Sequence, residues 1–347
     1  MKSRLASLLD QALLLSEVNQ RKVGCLVGAG VADAAARPLH WVYDLGELEA
    51  AISSSPETPE FWPQSVSPFY TLPTGETSCY FDEAFAVMTS LNNTRKFDFK
   101  NICDEFEKQL GPNSPYDMQR REEYMELRRY GKVQGPIVGK WLHGSMIKFF
   151  ENRKSLKGNK DMYGDPHVKE TDGFCCALPV VVKFAGESGL MDKVLKIATT
   201  QSTWPVAFKH ALVASKIVEG FVLGSPDPIQ GVREAIKGDF PEIYKELNTV
   251  DSLLSTPHTE AVGYVFGRPC YNPGSFLGAI HAVRTSDTFE DAVRKTIKAG
   301  GCNCSRAFFI GAMLGARDGL AGIPRDWLEK TTNAEQMIET AIQMVKD

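Results

Sequence analysis

Long apolar runs are missing from this chain. No segment approaches the ~18 apolar residues that a bilayer span requires, so no transmembrane helix is expected. An excess of positive charge is missing as well. Lys and Arg number 39 against 43 Asp and Glu, a net charge of −4, which supplies no field for nucleic acid or anionic lipid. The densest basic run, Arg120-Arg121 through Arg128-Arg129, is interspersed with carboxylates such as Glu122 and Glu123 and reads as a solvated helix face. Strand signals are scarce, with no clean period-2 run and no Asn-Gly hairpin. No tract of linker composition divides the chain, which reads as one domain over 1–347. The basic start Met1-Lys2-Ser3-Arg4 is followed by Asp10, Gln11 and Ser16, which interrupt any signal-peptide core. The eight cysteines are too few for a disulfide framework in a chain of this length. Several lie in apolar helical stretches (Cys25, Cys103) and read as reduced thiols of a cytoplasmic protein.

Helical punctuation is abundant. A first amphipathic helix would bury Leu5, Leu8, Leu9, Ala12 and Leu15. A small-residue helix over 21–36 carries Gly24 and Gly28 on one face and ends before Pro38. Further helices are expected at 82–91, 98–110, 115–130, 136–152, 174–185, 190–200, 205–223, 228–238, 242–254, 273–283, 288–299, 306–320 and 334–345. Prolines open several of them, and Thr288 with Asp291 resembles a capping box. The fold class is all-α, an orthogonal multi-helix array. Between the second and third helices lies an irregular stretch, 53–78, with five prolines and also Phe61, Trp62, Phe69 and Tyr70. Disordered segments carry few aromatics, so it is expected to pack down as a cover.

Chemistry-bearing residues stand out against this background. Asp33 lies among Gly, Ala, Val and Leu, where an unpaired carboxylate is costly. A metal, an arginine or the backbone donors of a helix end must offset it. Asp82 and Glu83 are adjacent carboxylates at an expected helix N-terminus, where capping alone would favour them. Gly300-Gly301-Cys302-Asn303-Cys304-Ser305-Arg306 forms a polar turn gripped by two helices. Its Cys-x-Cys pair suits space-filling thiols. It also admits Zn²⁺ or Cu(I) with Cys175, Cys176 or His40, or a thiol nucleophile activated by His40. Asn272-Pro273-Gly274-Ser275 opens a helix whose free amides attract phosphates. His281 reads as a core histidine, and Trp41, Trp141 and Trp327 as core or rim packing.

These motifs resemble the ADP-ribosylglycohydrolase superfamily, in order, over roughly residues 20 to 332. The family carries Gly-Gly-Asp-Thr-Asp-Thr at the turn corresponding to Cys302, Asn303, Cys304 and Ser305. Its Gly-Asp-Ala-x-Gly-x-Pro-x-Glu resembles Ala32 to His40, with His40 in place of a metal-binding glutamate. Its Ser/Thr-Asp-Asp trio resembles Phe81-Asp82-Glu83. The divergent branch of jellyfish lens J-crystallins and selenoprotein J is most similar. Its Pro-Leu-His-Trp, Pro-Gly-Ser-Phe and Ala-Gly-Gly-Cys-Asn signatures match Pro38 to Trp41, Pro273 to Phe276 and Ala299 to Asn303.

The resemblance implies the family's all-α fold and a cleft where Asp33, His40, Asp82, Glu83 and the 302–305 turn converge. Asp33, His40, Asp82 and Glu83 are the catalytic candidates. Asp172 (near the family's Gly-Asn-Gly substrate loop), Asn272, Gly274, Ser275, Cys302, Asn303, Cys304 and Ser305 are the candidates for an ADP-ribose-like ligand. Thiols are poor partners for Mg²⁺, so the dinuclear Mg²⁺ centre is expected to be degraded, with at most a weak single ion on Asp33, Asp82 and Glu83. The expected function is a crystallin-like structural protein or ligand binder; the alternative is a hydrolase of ADP-ribosyl bonds. Oligomeric state stays open.

Overall fold

The computed structural model describes residues 3–54, 58–116, 118–132, 134–155 and 163–346. Positions 1–2, positions 55–57 of the irregular stretch, and position 117 in the expected 115–130 helix lie outside them, as do the side chains of Arg120, Arg121 and Glu122. Among the described residues the fold is all-α. The strands are two residue pairs, Tyr70–Thr71 and Ile137–Val138, paired in parallel.

Two helices form the axis, Glu17–Ala36 and Asn303–Asp318. Residues 23–36 of the first are buried all round, as expected of a helix whose faces are uniformly small or apolar. Glycine allows the two to touch backbone to backbone. A Cβ on Gly28 would lie 2.3 Å from the Gly311 carbonyl oxygen, and one on Gly24 2.1 Å from that of Gly315. Around this pair pack Cys79–Thr94, Asp172–Phe184, Pro205–Val222, Gly274–Arg284, Phe289–Lys298 and Ala334–Val345. The first helix, Arg4–Leu13, buries Leu5, Leu8 and Ala12.

Most helices fall where the pattern places them, and the Thr288 hydroxyl accepts from the Asp291 amide as its cap motif requires. Three departures matter. The expected 136–152 helix is instead a short strand, a loop through Lys140-Trp141-Leu142-His143 and a helix over Gly144–Ser155. Position-specific pairing with Tyr70–Thr71 takes up its first residues. The expected 82–91 helix begins at Cys79, because Ser78 rather than the carboxylates caps it. The helix Leu45–Ser53 lies in a stretch with no expected element. The 53–78 stretch packs down where described: Phe61 and Trp62 are buried, and Thr74 donates to the Trp62 carbonyl. All eight cysteines are free thiols. No helix among the described residues is long and apolar enough to cross a membrane.

Candidate functional site

The 300–305 turn is held from both sides. Gly300 and Gly301 adopt φ of 70° and 64°, the left-handed region that glycine enters without steric cost. The Gly301 amide donates to the Val42 carbonyl at 2.7 Å, and the Trp41 amide donates to the Gly301 carbonyl at 2.8 Å. This bridge fixes Trp41, itself at φ 63°, a conformation costing a bulky residue on the order of 1–3 kcal/mol. The Trp41 ring stacks on His40 at 4.2 Å. Beneath the turn the buried Arg306 guanidinium donates to the Thr296 hydroxyl and to the Arg268, Thr296 and Gly300 carbonyls. Burial lowers its pKa to about 10.

Cys302 caps the Asn303–Asp318 helix at the centre of a buried polar group. His40 Nε2 lies 3.3 Å and the Tyr80 hydroxyl 3.1 Å from its Sγ, while His40 Nδ1 meets the Tyr70 hydroxyl at 2.9 Å. Burial raises a thiol, but the Cys270 hydrogen bond and the His40 contact outweigh it and hold Cys302 well below the ordinary range. Burial lowers His40. Cys304 points to the Asp33 carbonyl at 3.8 Å. Ser305 shares a 2.9 Å hydrogen bond with Ser275. Asn303 donates to the Leu39 carbonyl, leaving its own oxygen buried without a partner.

Asp33 uses both oxygens on one residue. Oδ1 accepts from the Ser78 hydroxyl at 2.6 Å and Oδ2 from the Ser78 amide at 2.7 Å. Its carboxylate therefore closes the N-terminus of the Cys79–Thr94 helix, where the helix dipole favours it. Complete burial nevertheless pushes its pKa up to about 7.

Asp82 and Glu83 part company, because consecutive helix residues face different ways. Asp82 turns outward onto a groove of about 610 Å³ with Glu76, Tyr116 and Lys140. Its Oδ1 accepts from Thr77 at 2.5 Å, and its Oδ2 accepts from both Tyr116 and Lys140 at 2.6 Å. Glu83 turns inward and is fully buried. It accepts from the Cys79 and Cys176 thiols, each at 3.3 Å, with His143 Nδ1 at 3.5 Å. Burial, and then the nearby Asp172, push it up to about 7. Asp172, the first residue of its helix, holds His143 Nδ1 in a short hydrogen bond. Burial would lower His143, but Cys79 and Asp172 outweigh it and raise it well above its usual value.

A second pocket of about 290 Å³ opens above this cluster, lined by Trp41, Tyr43, Phe69, Tyr80, Trp141, His143, Gly144, Glu170 and Cys270. The rings of Trp41, Phe69 and Trp141 meet edge to face at 5.3–5.8 Å. Burial pushes the Glu170 carboxyl up to about 7.

Of the sequence candidates, His40, Cys302, Ser305 and Ser275 thus meet through direct contacts, Cys304 meets Asp33, and Asn303 turns to the Leu39 carbonyl. Glu83 and Asp172 meet one another through His143, and Asn272 joins the margin by donating to the Glu170 carbonyl. Gly274 packs against the Phe266 carbonyl instead of lining the ring-lined pocket. Ser78-Cys79-Tyr80 stands at the start of the helix, with a hydroxyl first and with Tyr80 reaching Cys302, whereas Phe81-Asp82-Glu83 lies a turn further in. Tyr80, Lys140, His143 and Cys270 carry no site expectation from the sequence, Trp141 reads there as packing, and Glu170 opens the Glu170-Thr171-Asp172-Gly173 run near the family's substrate loop. The i, i+4 pairs Cys79/Glu83 and Asp172/Cys176 were the available signal, since each puts a thiol and a carboxylate on one helix face.

A central buried helix capping its neighbour through Asp33, and a glycine turn closing on it from the C-terminal helix, define the class of protein. The ADP-ribosylglycohydrolase family model matches residues 15–347, and the chain belongs to that family. Among its relatives are two proteins of Tripedalia cystophora. Crystallin J1A is 27% identical over 333 residues, covering 95% of this chain and 98% of its own. Crystallin J1B is 25% identical over 335 residues, with the same coverage. A solved structure titled an ADP-ribosylglycohydrolase-related protein complex superposes with a TM-score of 0.65 at 20% identity, over 95% of this chain and 98% of the other. That likeness concerns the fold.

Proposed function

We propose that this chain, acting as one domain, keeps the family fold without the two-magnesium hydrolytic centre, and uses the ring-lined pocket to hold the nucleoside-sized part of an ADP-ribose-like ligand. The carrying observation is the state of the carboxylates. Both oxygens of Asp33 are taken by Ser78, and both of Asp82 by Thr77, Tyr116 and Lys140. The Lys140 ammonium already supplies the positive charge that Asp82 needs. Glu83 faces thiols and an imidazole, and the turn offers Cys302 and Cys304. Magnesium requires octahedral oxygen ligands at 2.0–2.1 Å, and this donor set does not fit it.

The pocket supports the binding half of the reading. A volume of about 290 Å³ lies at the lower end for small-molecule sites, which are mostly apolar with a few placed polar groups. Here Trp41 and Trp141 offer faces for a base, and Glu170 offers a carboxyl for ribose hydroxyls. Relatives named crystallins favour a further role resting on a stable fold alone. Calorimetric titration of ADP-ribose, with and without Mg²⁺, is the test. Equal affinity in both conditions, weakened more than tenfold in Trp141→Ala, is expected. Binding that requires Mg²⁺ overturns the reading. Absence of binding removes the ligand and leaves the structural role.

One observation favours a second reading, a hydrolase that works without magnesium. Glu170 lies at the pocket with a carboxyl held at about 7, the range suited to general acid–base work at neutral pH. Release of ADP-ribose from a modified substrate, abolished in Glu170→Gln, would establish it.

A further inference from the structure

Behind the ring-lined pocket lies a cluster of a different chemistry. Among the described residues, Cys79, Glu83 and His143 form a grouping whose ligand atoms all lie within 4.8 Å of one another, and all three are buried. Three separate segments bring it together. Cys79 and Glu83 stand one turn apart on the helix Cys79–Thr94. Asp172 and Cys176 stand one turn apart on Asp172–Phe184, in the reverse order. His143 arrives on the loop before Gly144–Ser155.

We propose that this cluster is a zinc site, with Cys79, Glu83 and His143 as three protein ligands and Cys176 or Asp172 completing the tetrahedron. The distances carry the argument. Zn–S arms near 2.3 Å and Zn–N or Zn–O arms near 2.0–2.1 Å at tetrahedral angles set ligand-to-ligand edges of about 3.3–3.6 Å. The Cys79 Sγ to Glu83 Oε1 edge is 3.3 Å, and the His143 Nδ1 to Glu83 Oε1 edge is 3.5 Å. Cys176 Sγ stands 3.3 Å from the other Glu83 oxygen. Two edges of the trio are thus at coordination spacing, and the fourth ligand closes in on loading, from Asp172 beside His143 Nδ1 or from Cys176 on the other Glu83 oxygen.

A second, independent observation points the same way. Asp172 is 1% exposed, and its Oδ2 has no hydrogen-bond partner. A carboxylate oxygen orphaned in the interior is costly, and it sits on the residue that touches His143. Two buried carboxyls and two thiols share a single imidazole between them, a poor core without a further cation. Removed from water, like charges repel strongly, and thiols are weak donors to an acid. A divalent ion converts four of these groups into satisfied ligands. The donor types select which ion. Thiolate and imidazole disfavour magnesium and calcium and suit zinc, or cobalt as its spectroscopic substitute. His143 and Tyr80 line both this cluster's margin and the pocket, which gives the ion its way in. The site shares no ligand with the Cys302–Cys304 turn, and the proposal does not depend on how the pocket's own ligand is assigned.

Metal content and cobalt uptake test it on the full-length chain. Protein stripped with chelator and dialysed is titrated with Co²⁺, then with Zn²⁺ in competition. One ion per chain is expected, with a thiolate-to-cobalt charge-transfer band and the visible d–d bands of tetrahedral cobalt, both erased by one equivalent of zinc. Cys79→Ser and His143→Ala should each weaken uptake about 100-fold or more, since even outer-shell changes cost 10–100-fold. Cys103→Ser, a thiol elsewhere in the core, should leave it unchanged. Circular dichroism of each metal-free variant confirms that it is folded, and Glu83→Gln serves if Cys79→Ser is not. Absence of a charge-transfer band in the folded parent overturns the proposal. So does uptake that survives intact in the folded Cys79→Ser, His143→Ala double variant, which would place the ion on other cysteines.

Discussion

Gly311→Ala tests whether the helix pair at the centre of the molecule sets the position of the site. Alanine is the better helix former by about 1 kcal/mol, so local propensity alone expects a more stable protein. The packing expects the opposite. A Cβ at 311 would stand 2.1 Å from the Gly28 carbonyl oxygen and 2.7 Å from the Ala32 Cβ. Neither neighbour can rotate away, since one is backbone and the other a methyl on a buried helix. Close-packed interiors leave no slack, so the axes must part by roughly 1 Å. Overpacking of this kind costs about 1–3 kcal/mol, and a backbone contact belongs at or above the top of that range. The net loss should be at least about 2 kcal/mol, a fall in Tm of about 3 °C or more for a chain of 347 residues. Gly231→Ala supplies the control. It lies in the helix Pro228–Ala235 with nothing within 4 Å of a new Cβ, and should gain up to about 1 kcal/mol from propensity. Thermal scans and urea midpoints of the two variants should therefore move in opposite directions. A Gly311→Ala protein as stable as its parent would refute the reasoning, and so would equal losses in both.

Two further outcomes follow from buried charge. Arg306→Met removes the donors that hold the Thr296, Gly300 and Arg268 carbonyls. Stranding buried acceptors costs about 1–3 kcal/mol each, so urea unfolding should show a loss of at least about 3 kcal/mol, and a midpoint within error of the parent would contradict this. In metal-free protein the Glu83 carboxyl stands at about 7 against 4.5. The folded state then binds more protons than the unfolded one between those values, so stability falls as pH rises through pH 4.5–7, by on the order of 1 kcal/mol per unit. Glu83→Gln should flatten that fall, and a variant with the parent's slope would assign the titration elsewhere.

Much of the fold was written locally. Caps, prolines and the glycine pair at 300–301 act within a few residues of themselves, so helix positions follow from the chain alone. So did the small and apolar residues of 23–36, whose uniform burial needs no knowledge of the partner. The 136–152 segment failed for the complementary reason: pairing with Tyr70–Thr71, more than sixty positions away, outweighed its helical pattern. The cap of the Cys79–Thr94 helix was also misplaced, because Ser78 is chosen by Asp33 across forty-five residues.

The candidate site divides along the same line. Sequence alone marked some of the candidates, since an aspartate among alanines or two thiols flanking an asparagine are properties of the chain, while Tyr80 and His143 carried no local signal. Only the tertiary structure decided what each one faces. One helix sends Asp82 to Lys140 and Glu83 to His143, because adjacent residues on a helix point about 100° apart. The partners waiting on either side belong to a loop 58–60 positions further along. Burial then raised the Glu83 carboxyl, and burial is set by everything packed around a residue, never by its neighbours in sequence.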